Sequence, residues 1–275
     1  MLTPKSLHLI QVINKMPFLQ SFLKKHNKKF TKPSETFLLD ILGKIKEGMT
    51  EWGKQKGEIM KSRIIHGHIP KSDSFNYMPP EICNVIDNKS ILQNMFTMKL
   101  PSRSLNVEIV LQNDYKSETV IRNILMKVFL WFYVADSHTS KTCSSYVHLY
   151  LYLTDHVKEL PKHTHTPVSQ LHVNTAFTTG CQKKTDIHVY RKEEWFKVLI
   201  HESFHNLGMD FLGMDHKIQN EGNRILQELF HVTVPDLRYY ESYCEMWAEI
   251  MNSVFYCYFT QKKKTDQTLI HNIHT

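Results

Sequence analysis

Two histidines and one glutamate occur at a spacing that suits metal-assisted hydrolysis. His201 and His205 are four residues apart in a segment of helical character, so both imidazoles lie on one helical face and can bind one metal ion. Zinc held by two imidazoles and a third protein ligand activates water for attack on a carbonyl group. The pattern therefore predicts that His201 and His205 bind Zn²⁺ and that Glu202, between them, is the general base.

A row of glutamates follows on a later predicted helix. Glu241, Glu245 and Glu249 are spaced four residues apart, which places them on one helical face beside apolar residues. No lysine or arginine occurs between residues 239 and 259 to pair with them along the helix. We therefore expect a positive charge opposite this row, and a zinc ion would satisfy that requirement.

The elements that must position these residues form a mixed α and β pattern. Alternating or short extended apolar segments predict strands at 105–111, 147–153, 170–178 and 186–190. Helical spacing predicts helices at 117–135, from about 192, at 217–232 and at 235–259. This order predicts an α+β fold in which a small mixed sheet precedes two further parts. The first is the helix that carries the His-Glu-x-x-His (HExxH) sequence of residues 201–205, and the second is a helical C-terminal part.

Composition sets the broad class of protein. The chain has 275 residues and is 41% hydrophobic, which is enough for a substantial core. No apolar stretch approaches the roughly 20 residues of a membrane-spanning helix, and the N-terminus does not resemble a secretion signal. The cysteines are odd in number and contain no CxxC pair: Cys83, Cys143, Cys181, Cys244 and Cys257. We therefore expect no disulfide framework, no cysteine zinc site and a cytoplasmic location.

The net charge of +7 comes from the N-terminus. Residues 1–34 contain seven lysines and no acidic residue, whereas the remainder has 27 basic and 27 acidic residues. The apolar spacing in this arm fits a helix docked on the domain, although a basic arm can also contact polyanions such as nucleic acid. We predict a mainly helical extension at 1–103, a catalytic domain at 104–261 and a frayed polar tail at 262–275.

The motifs and the order of elements resemble those of the zincin metallopeptidases over residues 104–260. In zincins an edge strand ahead of the zinc helix binds extended substrate, and thermolysin-like members carry Asn-Ala-aromatic there. Asn174-Thr175-Ala176-Phe177 is similar, with one residue inserted, unless Asn174 only begins a turn. Zincins commonly stabilise the oxyanion with a tyrosine or a histidine. The candidates for this role are His231, Tyr239, Tyr240 and Tyr243.

The resemblance also implies a third ligand. In gluzincins a glutamate on a later helix completes the site, and an acid four residues further on orients the first histidine. The resemblance therefore implies that Glu245 is the third ligand and that Glu249 holds His201. The metzincin pattern HExxHxxGxxH competes, since Gly208 stands where its glycine would. Its third histidine is replaced by Phe211, which leaves His216 as the alternative ligand and Asp210 and Asp215 as weaker ones.

These inferences lead to a functional expectation and its alternatives. We expect a zinc peptidase that hydrolyses a polypeptide substrate. The alternatives are a non-enzymatic zinc-binding zincin scaffold with a structural or interaction role, and a nucleic-acid-associated factor that acts through its basic arm. The segment from residue 189 to 202 also resembles uncharacterised metallopeptidase-like proteins of large DNA viruses, which would imply a host cytoplasm or a virion.

Overall fold

The structure is a computed structural model, and it describes most of the chain from residue 30 onwards. The described residues are 30–61, 63–66, 78–87, 92–110, 117–163, 165–211, 215–233, 237–261 and 265–274, with residues 12, 15–17, 21, 76 and 213. The helices are α1 (Lys32–Ile59), α2 (Pro80–Asp87), α3 (Glu118–Asp136), α4 (Gln170–Val173), α5 (Trp195–Asn206), α6 (His216–Phe230), α7 (Tyr239–Thr260) and α8 (Asp266–His274). The strands are β1 (Arg63–His66), β2 (Leu92–Lys99), β3 (Ser104–Val110), β4 (Tyr146–Thr154), β5 (Ala176–Thr178) and β6 (Lys184–Arg191).

The described strands form one mixed sheet in the order β1-β2-β3-β4-β6-β5. Strands β3, β4 and β6 are parallel to their neighbours in this group, whereas β1, β2 and β5 pair antiparallel. Strand β5 pairs with β6 alone and therefore lies at one edge of the sheet. The predicted α+β class with a small mixed sheet is confirmed.

One face of the sheet carries the main core and fixes the helix with the HExxH sequence. Alternate residues of β3, β4 and β6, such as Val107, Leu149 and Val189, are fully buried on this face. Helix α3 packs there, and its Trp131 ring lies 6.2 Å from Phe204 on α5 and 6.4 Å from the Phe255 ring on α7. Helix α5 therefore packs between the sheet and α7.

The opposite face ties the edge strand to its neighbour. The rings of His148, Tyr150, His188 and Phe177 stack in sequence across β4, β6 and β5, with centroids 4.3 to 4.5 Å apart. His188 is buried and also contacts the Tyr152 hydroxyl at 3.0 Å. This stack holds Phe177, and with it the short strand β5, in register on β6.

Segments that flank the predicted catalytic domain pack against it at both ends. Strand β2, within the predicted extension, pairs along its length with β3, and α1 packs on α3. In the predicted frayed tail, α8 packs on α7 and α1 and fully buries Leu269. These segments therefore belong to the same core as the predicted catalytic domain. The basic arm at residues 1–29 lies almost entirely outside the described residues, so its docking and its polyanion contacts stay predictions.

One local expectation also changes. Residues 170–173 form helix α4 instead of a strand, because the Ser169 backbone N–H donates to His172 Nδ1 at 2.9 Å, and within 170–178 only residues 176–178 are extended.

Among the described residues, no helix has the length and apolar character needed to cross a membrane.

The sequence predicts no disulfide framework, but the structure contains a disulfide that the cysteine spacing did not indicate. Cys143 and Cys181 form it, with their Cα atoms 4.8 Å apart, although 38 residues separate them in sequence. The parallel pairing of β4 with β6 brings the loops ahead of these two strands together, which cysteine spacing alone does not reveal. The argument from cysteine spacing to a reducing compartment therefore does not hold.

The disulfide packs against Gly208, at the turn that ends α5. Gly208 has a φ of +66°, and a Cβ there would lie 3.1 Å from Cys143 Sγ. We expect Gly208→Ala to lower the free energy of unfolding by about 1–3 kcal/mol, because it combines backbone strain with a clash. Urea denaturation measures this change. Gly53→Ala is the control: it lies in α1 with nothing within 4 Å of its Cβ position, so it should stabilise slightly, and an equal loss in both variants would contradict the account.

Candidate metal centre

The candidate centre lies where α5 meets the first turns of α7. Helix α5 buries Leu199, Ile200 and Phe204 against the core and directs its histidines towards α7. On α7 the fully buried residues are small at this contact, Cys244 and Ala248, so the two helices approach closely. The glutamates of α7 therefore lie directly opposite the histidines of α5.

Three side-chain atoms converge at this contact. His201 Nε2, His205 Nε2 and Glu241 Oε2 are each 3.2 Å from the other two. Ligand atoms about 2.0–2.1 Å from a tetrahedral zinc ion lie roughly 3.3–3.4 Å from one another. The triangle thus has nearly the size that such an ion requires, and imidazole nitrogen with carboxylate oxygen is a donor set that zinc commonly takes in proteins.

The outer nitrogens of both histidines are held by carboxylates. His201 Nδ1 lies 3.0 Å from Glu245 Oε2, and His205 Nδ1 lies 2.7 Å from Asp210 Oδ2. Because an ionised carboxylate only accepts hydrogen bonds, each Nδ1 carries the proton and donates it. When the imidazoles are neutral, as metal binding requires, each turns a lone pair on Nε2 towards Glu241 Oε2. Three lone pairs converge on one point, and only protons or a cation between them can relieve the repulsion.

The structure shifts the predicted glutamate roles by one helical turn. Glu241 occupies the position expected of the third ligand, whereas Glu245 makes the contact to His201 that was predicted for Glu249. The Glu249 side chain is 57% exposed, and its carboxylate lies 3.4 Å from Lys197 Nζ. This geometry favours Glu241 over Glu245 as the candidate ligand and Glu245 over Glu249 as the partner of His201. The spacing was right, but equal spacing cannot tell which turn faces the histidines.

Sequence reasoning also missed two partners of the site. Lys197, on α5, supplies a positive charge opposite the glutamate row, with Nζ 2.5 Å from Glu245 Oε1. Asp210 was considered only as a weak alternative ligand, yet it holds the outer nitrogen of His205. The signals were present as a lysine four residues before His201 and an acid just after Gly208. Lys197 reaches Glu245 only when α5 packs on α7, whereas Asp210 reaches His205 across the turn that ends α5.

The metzincin alternative does not fit this geometry. His216 is exposed at the first residue of α6, and Phe211 packs on Tyr243 with ring centroids 4.3 Å apart. Among the described residues, the groups able to hold a metal are His201, His205 and Glu241, and His205, Asp210 and Cys244. Both groups use His205, and neither includes His216.

The three atoms open onto a cleft of about 870 Å³. Glu202 lines it together with the edge-strand segment Asn174, Thr175, Ala176 and Phe177, as the sequence predicts for a substrate groove. Of the four oxyanion candidates, Tyr240 lines the cleft, with its ring centroid 6.1 Å from that of His205. Tyr239 and Tyr243 pack instead on Phe211, and His231 is exposed at the end of α6.

Burial and neighbouring charges shift the pKa values in the cleft. Desolvation raises the pKa of Glu202, although His201 and His205 oppose the shift. Burial would lower the pKa of His205, but hydrogen bonds to Asp210, Cys244 and Glu241 outweigh it and raise the pKa well above its usual value. Burial likewise opposes the rise for His201, where Glu241 raises the pKa. In the metal-free protein both histidines therefore keep their protons to a higher pH than a free imidazole does.

Zinc binding should consequently release protons. His205, whose pKa is raised to about 12, is protonated at pH 7, and the pKa of His201 is also raised, so a metal ion should displace about one to two protons on binding. Zinc affinity is then expected to rise with pH, by about tenfold per unit for each proton released. Isothermal titration calorimetry of zinc into metal-free protein, in buffers of different ionisation enthalpy, counts the protons. The same observed enthalpy in all buffers would contradict the expectation.

The chain has no significant match among protein-family models, curated proteins or solved structures.

Proposed function

We propose that this protein is a zinc-dependent peptidase of the gluzincin type, with His201, His205 and Glu241 as metal ligands and Glu202 as general base. One observation carries the proposal: three atoms, mutually 3.2 Å apart, converge from two helices while carboxylates hold both outer histidine nitrogens. A structural cluster of ion pairs does not need both tautomers fixed in this way. The arrangement suits a metal ion whose histidine ligands are oriented from outside.

When bound, a zinc ion at these ligands would supply a Lewis acid that makes water more acidic and polarises a carbonyl group. Glu202 lines the same cleft. Its carboxylate interacts electrostatically with both histidines and with Glu241, so it lies close to the candidate ligands. Its pKa is raised by burial, so the carboxylate takes up a proton from water more readily than an exposed glutamate does. The protonated group then returns that proton to the leaving amine.

The cleft also provides a binding surface for an extended peptide. Strand β5 is the sheet edge beside the HExxH helix, and its outer backbone groups face away from β6. A peptide that adds to this edge gains main-chain hydrogen bonds without regard to its sequence. Tyr240, on the other wall, is the candidate donor to the negative charge that develops on the carbonyl oxygen.

The proposal is tested by assaying the full chain against a broad peptide library, with zinc removed by chelation and then restored. We expect cleavage by the zinc-loaded protein, loss after chelation and recovery on adding zinc. A chain that binds one zinc tightly and cleaves no peptide would contradict the peptidase assignment and favour the non-enzymatic scaffold.

A further inference from the structure

A half-buried lysine lies next to the candidate metal centre. Lys197 is one helical turn before His201 on α5, and only 11% of its side chain is exposed. Its ammonium group lies among three carboxylates from two elements. The distances from Nζ are 2.5 Å to Glu245, 3.4 Å to Glu249 and 3.8 Å to Glu194. Such a position confines the charge, because the apolar stem is covered and the head group has few alternative partners.

The contact with Glu245 forms a chain that ends at the metal centre. Glu245 Oε1 binds Lys197 and Glu245 Oε2 binds His201 Nδ1, so each carboxylate oxygen has its own partner. The Glu245 side chain is 46% exposed, and among the described residues its other hydrogen-bond partner is His201. Lys197 therefore fixes the carboxylate on the outer side of His201 and away from the three converging atoms.

We infer that Lys197 is a positioning residue that assigns the roles of the two glutamates: it holds Glu245 as the partner of His201 Nδ1 and thereby leaves the ligand position to Glu241. This inference rests on the proposed function. Glu241 and Glu245 are the same residue type on one helical face, so their spacing does not distinguish them. Lys197 does, because its ammonium lies within hydrogen-bond reach of Glu245, while Glu241 faces both histidines.

The test is a double-mutant cycle on zinc affinity. The probe is the zinc ion without substrate, and the dissociation constant is measured by competition with a chromogenic chelator. Lys197→Met keeps the stem and removes the charge, and we expect about a 10-fold loss, the lower end of the cost of losing an outer partner. In the Glu245→Gln background the same change should cost little, because the carboxylate that Lys197 positions is already gone. An equal loss in both backgrounds would overturn the inference.

Two further variants distinguish the positioning of Glu245 from a general effect of net charge. A melting measurement then identifies variants that do not fold. Lys158→Met removes a lysine from the same cleft, but Lys158 pairs with Glu194 at 2.9 Å, so zinc affinity should hold. Lys197→Arg keeps the charge and should bind zinc more tightly than Lys197→Met. If Lys158→Met weakens zinc binding as much as Lys197→Met, the effect is one of net charge and the inference fails. Circular dichroism melting identifies any variant that has lost its fold, and Lys197→Gln then replaces Lys197→Met.

A metal-free measurement keeps this inference separable from the proposed function. Proton NMR of metal-free protein should show a slowly exchanging imidazole proton on His201 Nδ1, assigned by its loss in His201→Ala. We expect it to persist in Lys158→Met and to broaden or vanish in Lys197→Met. Persistence in Lys197→Met would overturn the positioning role. If the wild-type chain does not bind zinc, the proposed function fails, while this readout still decides whether Lys197 holds the Glu245 contact.

Discussion

Glu202→Gln is expected to lower kcat for peptide hydrolysis by about 10²–10⁴-fold while zinc content stays at one ion per chain. The amide keeps the size of the side chain but cannot take a proton from water. Zinc content should not change, because Glu202 is absent from the converging ligand atoms. Activity of the wild-type protein should rise with pH through the raised pKa of Glu202, since the base works only when deprotonated.

The control for this experiment is Glu228→Gln, the same chemical change on exposed α6, where Glu228 pairs with Arg224. It should keep wild-type activity. Full activity in Glu202→Gln would remove the general base from the account. Loss of zinc together with activity would instead mean that Glu202 supports the metal site, and the comparison of kcat values would then not report on proton transfer.

The second large effect concerns the glutamate row. Glu241→Gln should weaken zinc binding well beyond the about 10–100-fold that the loss of an orienting partner costs, because it removes a ligand. Glu245→Gln should fall within that 10–100-fold range, because it removes only the acceptor of His201 Nδ1. Glu249→Gln should bind zinc almost as the wild type does. Dissociation constants from chelator competition measure all three variants.

The order of these three effects is the informative result. A larger loss in Glu245→Gln than in Glu241→Gln would restore the ligand assignment first made from the sequence. Similar small losses in all three would indicate that no glutamate of α7 binds the metal. His216→Ala serves as the control for the competing metzincin arrangement and should leave the affinity unchanged, since His216 is exposed on α6.

Local patterns were sufficient where a single element determines the outcome. The apolar alternation of β3 and β4 and the helical spacing of α3 each reflect burial on one face, so the sequence located these elements to within a few residues. The same holds for the placement of His201, Glu202 and His205 on one helix, which follows from helical geometry alone.

Features that depend on two packed elements were missed or misassigned. Which turn of α7 faces α5 depends on helix packing, so the contacts predicted for Glu245 and Glu249 are made one turn earlier, by Glu241 and Glu245. Strand β2 alternates apolar and polar residues only from Phe96 to Lys99, and it was not predicted, yet it pairs with β3 in the sheet. The Cys143–Cys181 disulfide joins loops that meet only through strand pairing. The edge strand was predicted from residue 170, but it begins at Ala176 because a helical turn precedes it.

The most direct test of the central claim is a crystal structure of the zinc-loaded protein, with anomalous diffraction recorded on both sides of the zinc absorption edge. We expect one zinc peak, bound by His201 Nε2, His205 Nε2 and Glu241, with Glu245 on His201 Nδ1 and Asp210 on His205 Nδ1. A peak bound by Glu245 or by His216 in place of Glu241, or no peak at this site at saturating zinc, would contradict the account.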